Sequence, residues 1–548
     1  MNKVLEKIKN EFNENFGKVL LLTFLNYFLF GVNRIFLGKY MWTPLWSKSS
    51  RLVINFIAFY IFIFGIVFLI SIFGEKIKKV LVRAFILLSY LIFIVELFLM
   101  YVFRTVINNT TVQTALETNK NESREFIQQY LDIKFFVILF IIIIAGYFIS
   151  KIKVKVNSKI LCVILLLGVV VQLVRVKHNI AQMPIQRLVK GVQNGISNKK
   201  IYEDLIKKMN TNVVLTKNNS HNDNIVLIIG ESTKRSHMGL YDYTLDTNPL
   251  LKNISKNNLF VYTDVISPHA QTIPSLKKIL TFYDMQSEKE WYTYTNIIDI
   301  MKKSGFKTYW FSNQESKGIF ANVTVAFSNR TNFVFFNDNI SNGDESNNKF
   351  DEEIVTESTK TIDFKKKNFV IYHLLGTHSS YKDRYPQSFN KFNSSFYTDI
   401  DNQKQKRIIS YYDNAVLYND FVVNSIIDLY KNTSSVVIYL SDHAEELYER
   451  RDFYGHGEDN LSKYTVEIPF LIYVSDKFIE NYPDKVEKIK ESVSRPYMTD
   501  DVIHTILDIS DIETTEYDPT RSVINDKYIS RDRMLHGKSY DNYWKTLN

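Results

Sequence analysis

The stretch NIVLIIGES, residues 224–232, decides the fold of the second half of the chain. Residues 225–229 are apolar throughout, and they predict a strand buried on both faces, which is typical of the parallel sheets of α/β domains. Glu231 stands almost directly after this strand. Ligands of such sheets bind beyond the carboxyl ends of the strands, so Glu231 is the first candidate functional residue.

Short β-branched or aromatic runs alternate with helical patterns along the rest of this half. They predict strands at residues 225–229, 308–311, 369–374, 435–440 and 469–474. Strands that alternate with helices indicate an α/β domain with a mostly parallel sheet. The polar segment KNNSHNDN, residues 217–224, precedes the first strand. We therefore predict a soluble domain over residues 225–548.

Two further strands are followed by residues that bind metals or move protons. Asp442 and His443 come after the strand at 435–440, and His378 comes after the strand at 369–374. We expect these side chains to converge with Glu231 at one edge of the sheet. Glu, Asp and His form the ligand set of a zinc or manganese site.

The missing partner of such a metal should be the nucleophile, because metal coordination lowers the pKa of a hydroxyl. The segment SPHAQTIPSLKKILTF, residues 267–282, offers Thr272 two residues before Pro274. Proline is favoured in the first turn of a helix, so Thr272 is predicted at a helix start, where backbone amides and the helix dipole favour a phosphate. A plain helix cap is the alternative role for this threonine.

Two loop residues are candidates for the same edge of the sheet. They are His456 in GHGED and Lys317 in NQESKG. Cys162 is the only cysteine, and it lies in an apolar run. Zinc held by cysteines and a disulfide within the chain are therefore excluded.

The first part of the chain carries apolar runs near residues 19–32, 53–73, 84–103, 135–149 and 160–174. A helix crosses a bilayer in roughly 20 residues, so residues 1–176 are predicted to form a transmembrane domain of about five helices. Residues 177–224 mix apolar residues with lysine and arginine, which indicates interfacial helices and a linker. Basic residues in three short segments favour a cytoplasmic N-terminus, and the soluble domain then lies outside the cytoplasm.

Charge within this part of the chain has two consequences. The chain has a net charge of +9, and many of its basic residues flank apolar runs. Membrane topology therefore explains part of the excess of positive charge, and no nucleic-acid partner is expected.

Glu96 lies inside the third apolar run, where a carboxylate costs roughly 3 kcal/mol on insertion scales. It faces either a polar cavity or substrate head group, or a partner within the helix bundle.

Six motifs in this order resemble the phosphoethanolamine transferases: NIVLIIGESTKRSHMGLYDY, SPHAQTIPSLKKILTF, HLLGTHSSYKDRYP, YYDNAVLYND, SDHAEELYE and EYDPTRSVIN. The members of this family are inner-membrane enzymes of Gram-negative bacteria with five N-terminal helices. Their periplasmic catalytic domain is of the alkaline-phosphatase/sulfatase type. The resemblance implies the same location and architecture for this chain.

The resemblance also implies a chemistry. Zinc rather than manganese is held by Glu231, Thr272, Asp442 and His443. Thr272 takes phosphoethanolamine from phosphatidylethanolamine as a phospho-threonine-type intermediate and releases diacylglycerol. The group then passes to lipopolysaccharide, on lipid A or core heptose, or to a periplasmic protein or glycan. The LLGTH and YDPTRSV motifs resemble the branch that modifies core heptose.

Substrate contacts are carried over from the same family. His378 and His456 match histidines that contact the phosphoryl group or a further zinc, and Lys317 matches a substrate-binding lysine. Thr118 and Glu122, in the loop ALETNKNESREF, match contacts to the donor lipid.

Three other functions remain to be weighed. A sulfatase needs a Cys or Ser that is converted to formylglycine, and TIPSL offers neither at the position of Thr272. A glycerol-phosphate transferase of the lipoteichoic-acid synthase type also has five helices, a threonine and a metal. A non-enzymatic membrane sensor with a degenerate domain is the third alternative.

Overall fold

The computed structural model of the protein describes residues 2–37, 43–118, 120–207, 212–221, 223–254, 256–314, 323–337 and 350–546. The chain forms two compact units. One contains residues 1–116 and 127–197, and the other contains residues 117–126 and 198–548. The domain limits expected at residues 176 and 224 stay a prediction.

The first unit is built from apolar helices. Among the described residues, four helices are long and apolar enough to cross a membrane: Lys3–Leu37, Leu45–Phe73, Glu75–Phe103 and Ile133–Ser150. A fifth span results if Cys162–Val174 and Val176–Gln182, which meet at a bend of 80°, are counted as one. The expectation of about five membrane helices agrees with this arrangement. A shorter helix of this unit is Asn109–Glu117. The helices Lys120–Tyr130 and Pro184–Lys207 are divided between the two units, at residues 126 and 197.

Glu96 has a partner within this unit. One of its carboxylate oxygens lies 2.9 Å from a guanidinium nitrogen of Arg187 and accepts a hydrogen bond from the backbone N–H of Ile107. The side chain of Glu96 is 2% exposed. A buried carboxylate is retained in an apolar environment when it is paired and hydrogen-bonded. Of the two alternatives for Glu96, the structure supports the partner within the helix unit.

A seven-stranded sheet forms the centre of the second unit. In chain order its strands are β1 (Asn224–Gly230), β2 (Leu259–Val261), β3 (Lys307–Ser312), β4 (Phe333–Phe336), β5 (Asn368–His373), β6 (Ser435–Ser441) and β7 (Phe470–Val474). The spatial order is β2-β7-β6-β1-β5-β3-β4. Strands β6, β1, β5, β3 and β4 are parallel, whereas β7 runs antiparallel to both of its neighbours. The mostly parallel sheet is confirmed, with β7 as the exception among the predicted strands.

The central strands are buried on both faces. Every residue of β1, β5 and β6 is buried. Ile225, Leu227 and Ile229 pack into one apolar core, while Val226 and Ile228 pack into the core on the opposite face. Each such side chain contributes on the order of 1.5–3 kcal/mol when fully buried. The continuous apolar runs of the sequence are explained by this two-sided burial.

Helices pack into the apolar cores on both faces of the sheet. The longest described helix of this unit, Gln403–Tyr430, is capped at its start by the side chain of Asn402. The other helices of this unit are Pro249–Lys252, Thr272–Ile279, Ile297–Lys303, Val323–Ser328, Glu352–Thr361, Lys463–Val466, Asp476–Asn481, Pro483–Glu491 and Val502–Ile509. The two-residue strands Glu446–Leu447 and Tyr454–Gly455 form a hairpin, as do Met534–Leu535 and Lys538–Ser539.

Candidate active site

Three side chains that follow adjacent parallel strands converge at one edge of the sheet. Glu231 follows β1, and Asp442 and His443 follow β6. One oxygen or nitrogen atom from each lies within 4.8 Å of the others, and all three residues are buried. The Nε2 atom of His443 is 3.1 Å from Glu231 and 3.4 Å from Asp442. The convergence expected from the strand ends is therefore present.

Hydrogen bonds orient these side chains toward a common point. Oδ1 of Asp442 accepts bonds from the backbone N–H groups of Ser232 and His443. Its Oδ2 is buried and has no hydrogen-bond partner within the described part of the chain. Nδ1 of His443 is 3.0 Å from the carbonyl oxygen of Ala444, so this nitrogen carries a proton and Nε2 is the ring atom that faces the two carboxylates.

The three side chains also perturb one another's protonation. Burial alone would raise the pKa of Glu231, but the imidazole of His443 holds it well below its ordinary range. Burial and the charge of Glu231 raise the pKa of Asp442 well above its ordinary range. Against the effect of burial, Asp442 and Glu231 raise the pKa of His443 to about 10. Two buried carboxylates thus share one imidazole, and a divalent cation neutralises such an excess of negative charge.

These observations fit a metal site. An unpartnered buried carboxylate oxygen, a second carboxylate and an imidazole nitrogen are a donor set that zinc or manganese accepts. Hydrogen bonds to the remote atoms of His443 and Asp442 hold both ligands in orientation, as is usual around protein-bound metals.

Thr272 lies against this cluster. It is the first residue of the helix Thr272–Ile279, and the preceding Gln271 is extended. Its hydroxyl oxygen is 3.1 Å from Oε2 of Glu231 and 3.4 Å from Nε2 of His443. The predicted helix start is confirmed, and the hydroxyl points at the carboxylate–imidazole cluster. A threonine that served only as a helix cap would instead accept a hydrogen bond from the backbone N–H two or three residues later in the helix.

Two further histidines line the same edge. The ring centroid of His456 is 4.1 Å from that of His443 and 6.2 Å from that of His378. Nδ1 of His456 lies 3.2 Å from a carboxylate oxygen of the buried Glu445. Burial lowers the pKa of His378, which favours its neutral form. The structure thus places His378 and His456 beside the cluster, while their roles stay predictions.

The remaining predicted contacts are less well defined. Lys317 lies outside the described residues. Thr118 is half-buried and lies in the chain between the helices Asn109–Glu117 and Lys120–Tyr130. Glu122 lies on the second of these helices, and its side chain is outside the described part of the structure. The substrate roles of all three stay predictions.

Sequence reasoning missed Gln314, which contacts a predicted ligand directly. The Nε2 atom of Gln314 donates to Oε2 of Glu231 and to the carbonyl oxygen of Leu374, both at 3.1 Å. Gln314 comes two residues after β3, so the rule that located Asp442 could have found it.

Asp351 was missed as well, and no sequence signal marks it. This fully buried carboxylate accepts bonds from the N–H groups of Leu375 and Gly376 and so fixes the loop that leads to His378. Gly376 has a φ of +53°, and a Cβ atom there would lie 2.9 Å from the backbone nitrogen of Glu231. A glycine is therefore required where this loop passes Glu231.

Comparison with known proteins identifies the family to which the chain belongs. The sequence profile of the sulfatase family matches residues 223–512. The periplasmic domain of EptC from Escherichia coli, solved in complex with Zn, is 31% identical, with a TM-score of 0.55 over 61% of this chain and 97% of that chain. The chain belongs to the phosphoethanolamine transferases of the sulfatase family.

Two further relatives extend the match beyond the catalytic domain. Phosphoethanolamine transferase EptC of Escherichia coli (strain K12) is 29% identical over 453 residues, which are 76% of this transferase and 78% of that protein. The integral membrane protein lipooligosaccharide phosphoethanolamine transferase A from Neisseria meningitidis is 18% identical, with a TM-score of 0.63 over 92% of this chain and 97% of that one. At that identity the likeness concerns the fold alone. This transferase is a multi-pass membrane protein with an α/β catalytic domain.

Proposed function

We propose that this transferase moves phosphoethanolamine from phosphatidylethanolamine to a lipopolysaccharide acceptor through a covalent intermediate on Thr272. The observation that carries the proposal is the position of the Thr272 hydroxyl, 3.1 Å from Glu231 and 3.4 Å from His443 at a helix N-terminus. A nucleophile, a carboxylate and an imidazole therefore meet where a helix dipole favours a phosphate.

The first half-reaction forms a bond between Thr272 Oγ1 and phosphorus and breaks the bond from phosphorus to the diacylglycerol oxygen. The Thr272 proton is directed at Oε2 of Glu231, because a carboxylate can only accept. The helix dipole stabilises the negative charge that develops on the phosphoryl oxygens. In the second half-reaction an acceptor hydroxyl attacks phosphorus, and Thr272 is released.

His378 and His456 are the candidates for proton transfer to the leaving oxygen and from the acceptor. Nδ1 of His456 donates to Glu445, which leaves Nε2 of the same ring for the reacting oxygens. His378 lies across from it, with 6.2 Å between the ring centroids. One histidine can protonate diacylglycerol and the other can deprotonate the acceptor.

The cofactor that suits this donor set is zinc, held by Glu231, Asp442, His443 and Thr272. When bound, zinc lowers the pKa of a coordinated hydroxyl and neutralises phosphoryl charge. The single cysteine of the chain, Cys162, cannot supply the several thiolates of a cysteine-ligated zinc site. Manganese is the alternative metal that the same donors accept.

The location and the acceptor follow from the sequence patterns. Basic residues in short segments place the catalytic domain outside the cytoplasm, which for this family is the periplasmic face of the inner membrane. Core heptose is the proposed acceptor because the LLGTH and YDPTRSV motifs resemble the branch that modifies it. Lipid A, a periplasmic protein and a periplasmic glycan are the other acceptors to be tested.

The proposal is tested with the full chain in detergent micelles that contain phosphatidylethanolamine. Thr272→Ala should abolish diacylglycerol release, whereas Thr263→Ala, which changes an exposed threonine of the same domain, should leave it intact. Continued release from the Thr272→Ala protein would overturn the role of the nucleophile. Release from phosphatidylglycerol in place of phosphatidylethanolamine would instead favour a glycerol-phosphate transferase.

The acceptor is identified in cells. Mass spectrometry of lipid A and of core oligosaccharide, with and without the gene, should show added phosphoethanolamine on core heptose. A gain on lipid A would move the assignment to that fraction. No gain on either would direct the search to proteins and glycans.

A further inference from the structure

Glu458 is a nearly buried carboxylate outside the cluster of Glu231, Asp442 and His443. It begins a short turn two residues after His456, and its side chain is 11% exposed. One carboxylate oxygen accepts a hydrogen bond from the backbone N–H of Ala270 at 2.9 Å and lies 3.1 Å from Nδ1 of His269. The other oxygen lies 2.6 Å from Nε2 of His536. One side chain therefore joins three segments that are far apart in sequence.

The first of these segments is the loop that delivers the nucleophile. Ala270 lies two residues before Thr272, and the loop between Ser267 and the helix start is only a few residues long. At its near end the hydroxyl of Ser267 lies 2.5 Å from the carbonyl oxygen of Asp442. Glu458 fixes the far end of the same loop. The Thr272 loop is thus tied at one end to a predicted ligand and at the other end to the segment that carries His456.

An apolar cluster supports the same three segments. Ala270 from the Thr272 loop, Leu461 from the turn of Glu458 and Leu535 from the C-terminal hairpin are buried together. His536 sits at the turn of that hairpin with a φ of +48°. The positive φ of this turn and the burial of the neighbouring Leu535 orient the side chain of His536 toward the carboxylate of Glu458. Polar contacts of Glu458 and apolar contacts of Ala270 therefore stabilise the same conformation of the Thr272 loop.

The charge of Glu458 suits this role. Burial alone would raise its pKa, but hydrogen bonds from His269 and His536 hold the pKa of Glu458 well below its usual range. The side chain is therefore ionised at neutral pH and acts only as an acceptor. Hydrogen bonds to an ionised acceptor are shorter and stronger than those between neutral groups.

We propose that Glu458 is the positioning residue for the nucleophile. It holds the backbone N–H of Ala270 and so keeps the Thr272 hydroxyl within reach of Glu231 and His443. This inference rests on the proposed function of Thr272. Glu458 touches neither the metal ligands nor the reacting atoms, and its effect passes through the loop. A misplacement of about 1 Å in a reacting group can cost on the order of 100-fold in rate.

The first test measures the loop itself, independently of activity. Hydrogen exchange of the full chain in detergent should show the peptide around Ala270 protected in the wild-type protein. In Glu458→Ala the same peptide should exchange faster, because the acceptor of the Ala270 N–H is gone. In His536→Ala the protection should persist, since the bond to Ala270 is retained. Unchanged exchange in Glu458→Ala would overturn the proposal.

The second test measures single-turnover transfer of phosphoethanolamine to Thr272 and bound metal in the same samples. Glu458→Ala should slow this transfer by about 100-fold, with the half-saturating lipid concentration and the metal content unchanged. Glu458→Gln keeps an oxygen for Ala270 and should recover to within about tenfold of wild type. Wild-type rates in Glu458→Ala, or a failure of Glu458→Gln to recover with its metal still bound, would overturn the proposal.

Two further variants control for a general effect of losing a carboxylate and for misfolding of Glu458→Ala. Glu513→Ala removes an exposed carboxylate that pairs with Lys217, and it should leave both exchange and rate unchanged. If Glu458→Ala does not fold, Glu458→Asp replaces it, because the shorter side chain keeps the charge but cannot reach Ala270. Equal behaviour of Glu458→Asp and wild type would overturn the proposal. Turnover by Thr272→Ala would defeat the proposed function, while the exchange result would still decide the role of Glu458.

Discussion

Asp442→Asn should raise the stability of the metal-free transferase and weaken its metal binding at the same time. The asparagine oxygen can replace Oδ1 and keep the bonds from Ser232 and His443. The amide group takes the place of Oδ2, which is buried, lacks a hydrogen-bond partner among the described residues and lies 3.4 Å from Nε2 of His443. The change therefore removes one buried acidic group beside Glu231 and leaves the hydrogen bonds from Ser232 and His443 intact.

The two effects can be estimated separately. An unsatisfied buried polar atom costs about 1–3 kcal/mol, and relief of that cost should stabilise the chelator-treated protein by a similar amount. Zinc at 100 times Kd stabilises the wild-type fold by about 2.7 kcal/mol. Loss of a hydrogen-bond partner of a metal ligand can already weaken metal binding about 100-fold. If loss of an acidic ligand has the same effect, the same zinc concentration stabilises the variant by only about 0.4 kcal/mol.

Thermal unfolding in detergent with and without zinc checks this prediction. At roughly 2–4 °C per kcal/mol, zinc should raise the wild-type Tm by about 5–10 °C and the Asp442→Asn Tm by about 1 °C. Asp428→Asn, which changes an exposed carboxylate paired with Lys431, is the matched control and should behave like wild type. An undiminished zinc response in Asp442→Asn would refute Asp442 as a ligand.

Three other predictions concern residues around the site. Gln314→Leu removes the amide that donates to Glu231, and it should weaken metal affinity by about 10–100-fold in a chelator competition assay. Gly376→Ala should lower the free energy of unfolding by at least about 1–2 kcal/mol in a denaturant titration, because φ is +53° and a Cβ would meet Glu231. The hydrogen bond to Glu458 raises the pKa of His536, so its contribution to stability is full below the unfolded pKa of about 6.5 and is lost as pH rises through the higher folded pKa. The Tm difference between wild type and His536→Ala should accordingly be larger at about pH 6 than at about pH 9.

Each of these predictions has a result that contradicts it. Gln405→Leu alters an exposed glutamine and should bind metal normally, so equal losses in Gln314→Leu and Gln405→Leu would point to a general effect. A Gly376→Ala protein as stable as wild type would show that the loop can move away from Glu231. A pH-independent Tm difference for His536→Ala would exclude an ionic contribution from its contact with Glu458.

The sequence was most informative where burial and strand direction decide the structure. The apolar run of β1 required two covered faces, and the parallel order then brought Glu231 and Asp442 to neighbouring strand ends. Thr272 was predictable because Pro274 marks a first helical turn. These inferences depend on local patterns joined by one topological rule.

The residues that were missed act through contacts between distant loops. Asp351 accepts from residues 24 and 25 positions away in sequence, and Glu458 contacts Ala270 across 188 positions. No periodicity or motif marks such pairs, since each depends on how the loops fold over the sheet. The sequence also does not predict the antiparallel direction of β7, because its apolar run has the same pattern as those of the parallel strands.

The central claim is that Thr272 becomes covalently modified during turnover. The most direct measurement is mass spectrometry of the intact and digested protein after it is mixed with phosphatidylethanolamine in the absence of an acceptor. We expect one phosphoethanolamine group on Thr272, which is lost when the acceptor is added and is missing in Thr272→Ala. Turnover without this adduct, or an adduct on any other residue, would show that Thr272 is not the nucleophile.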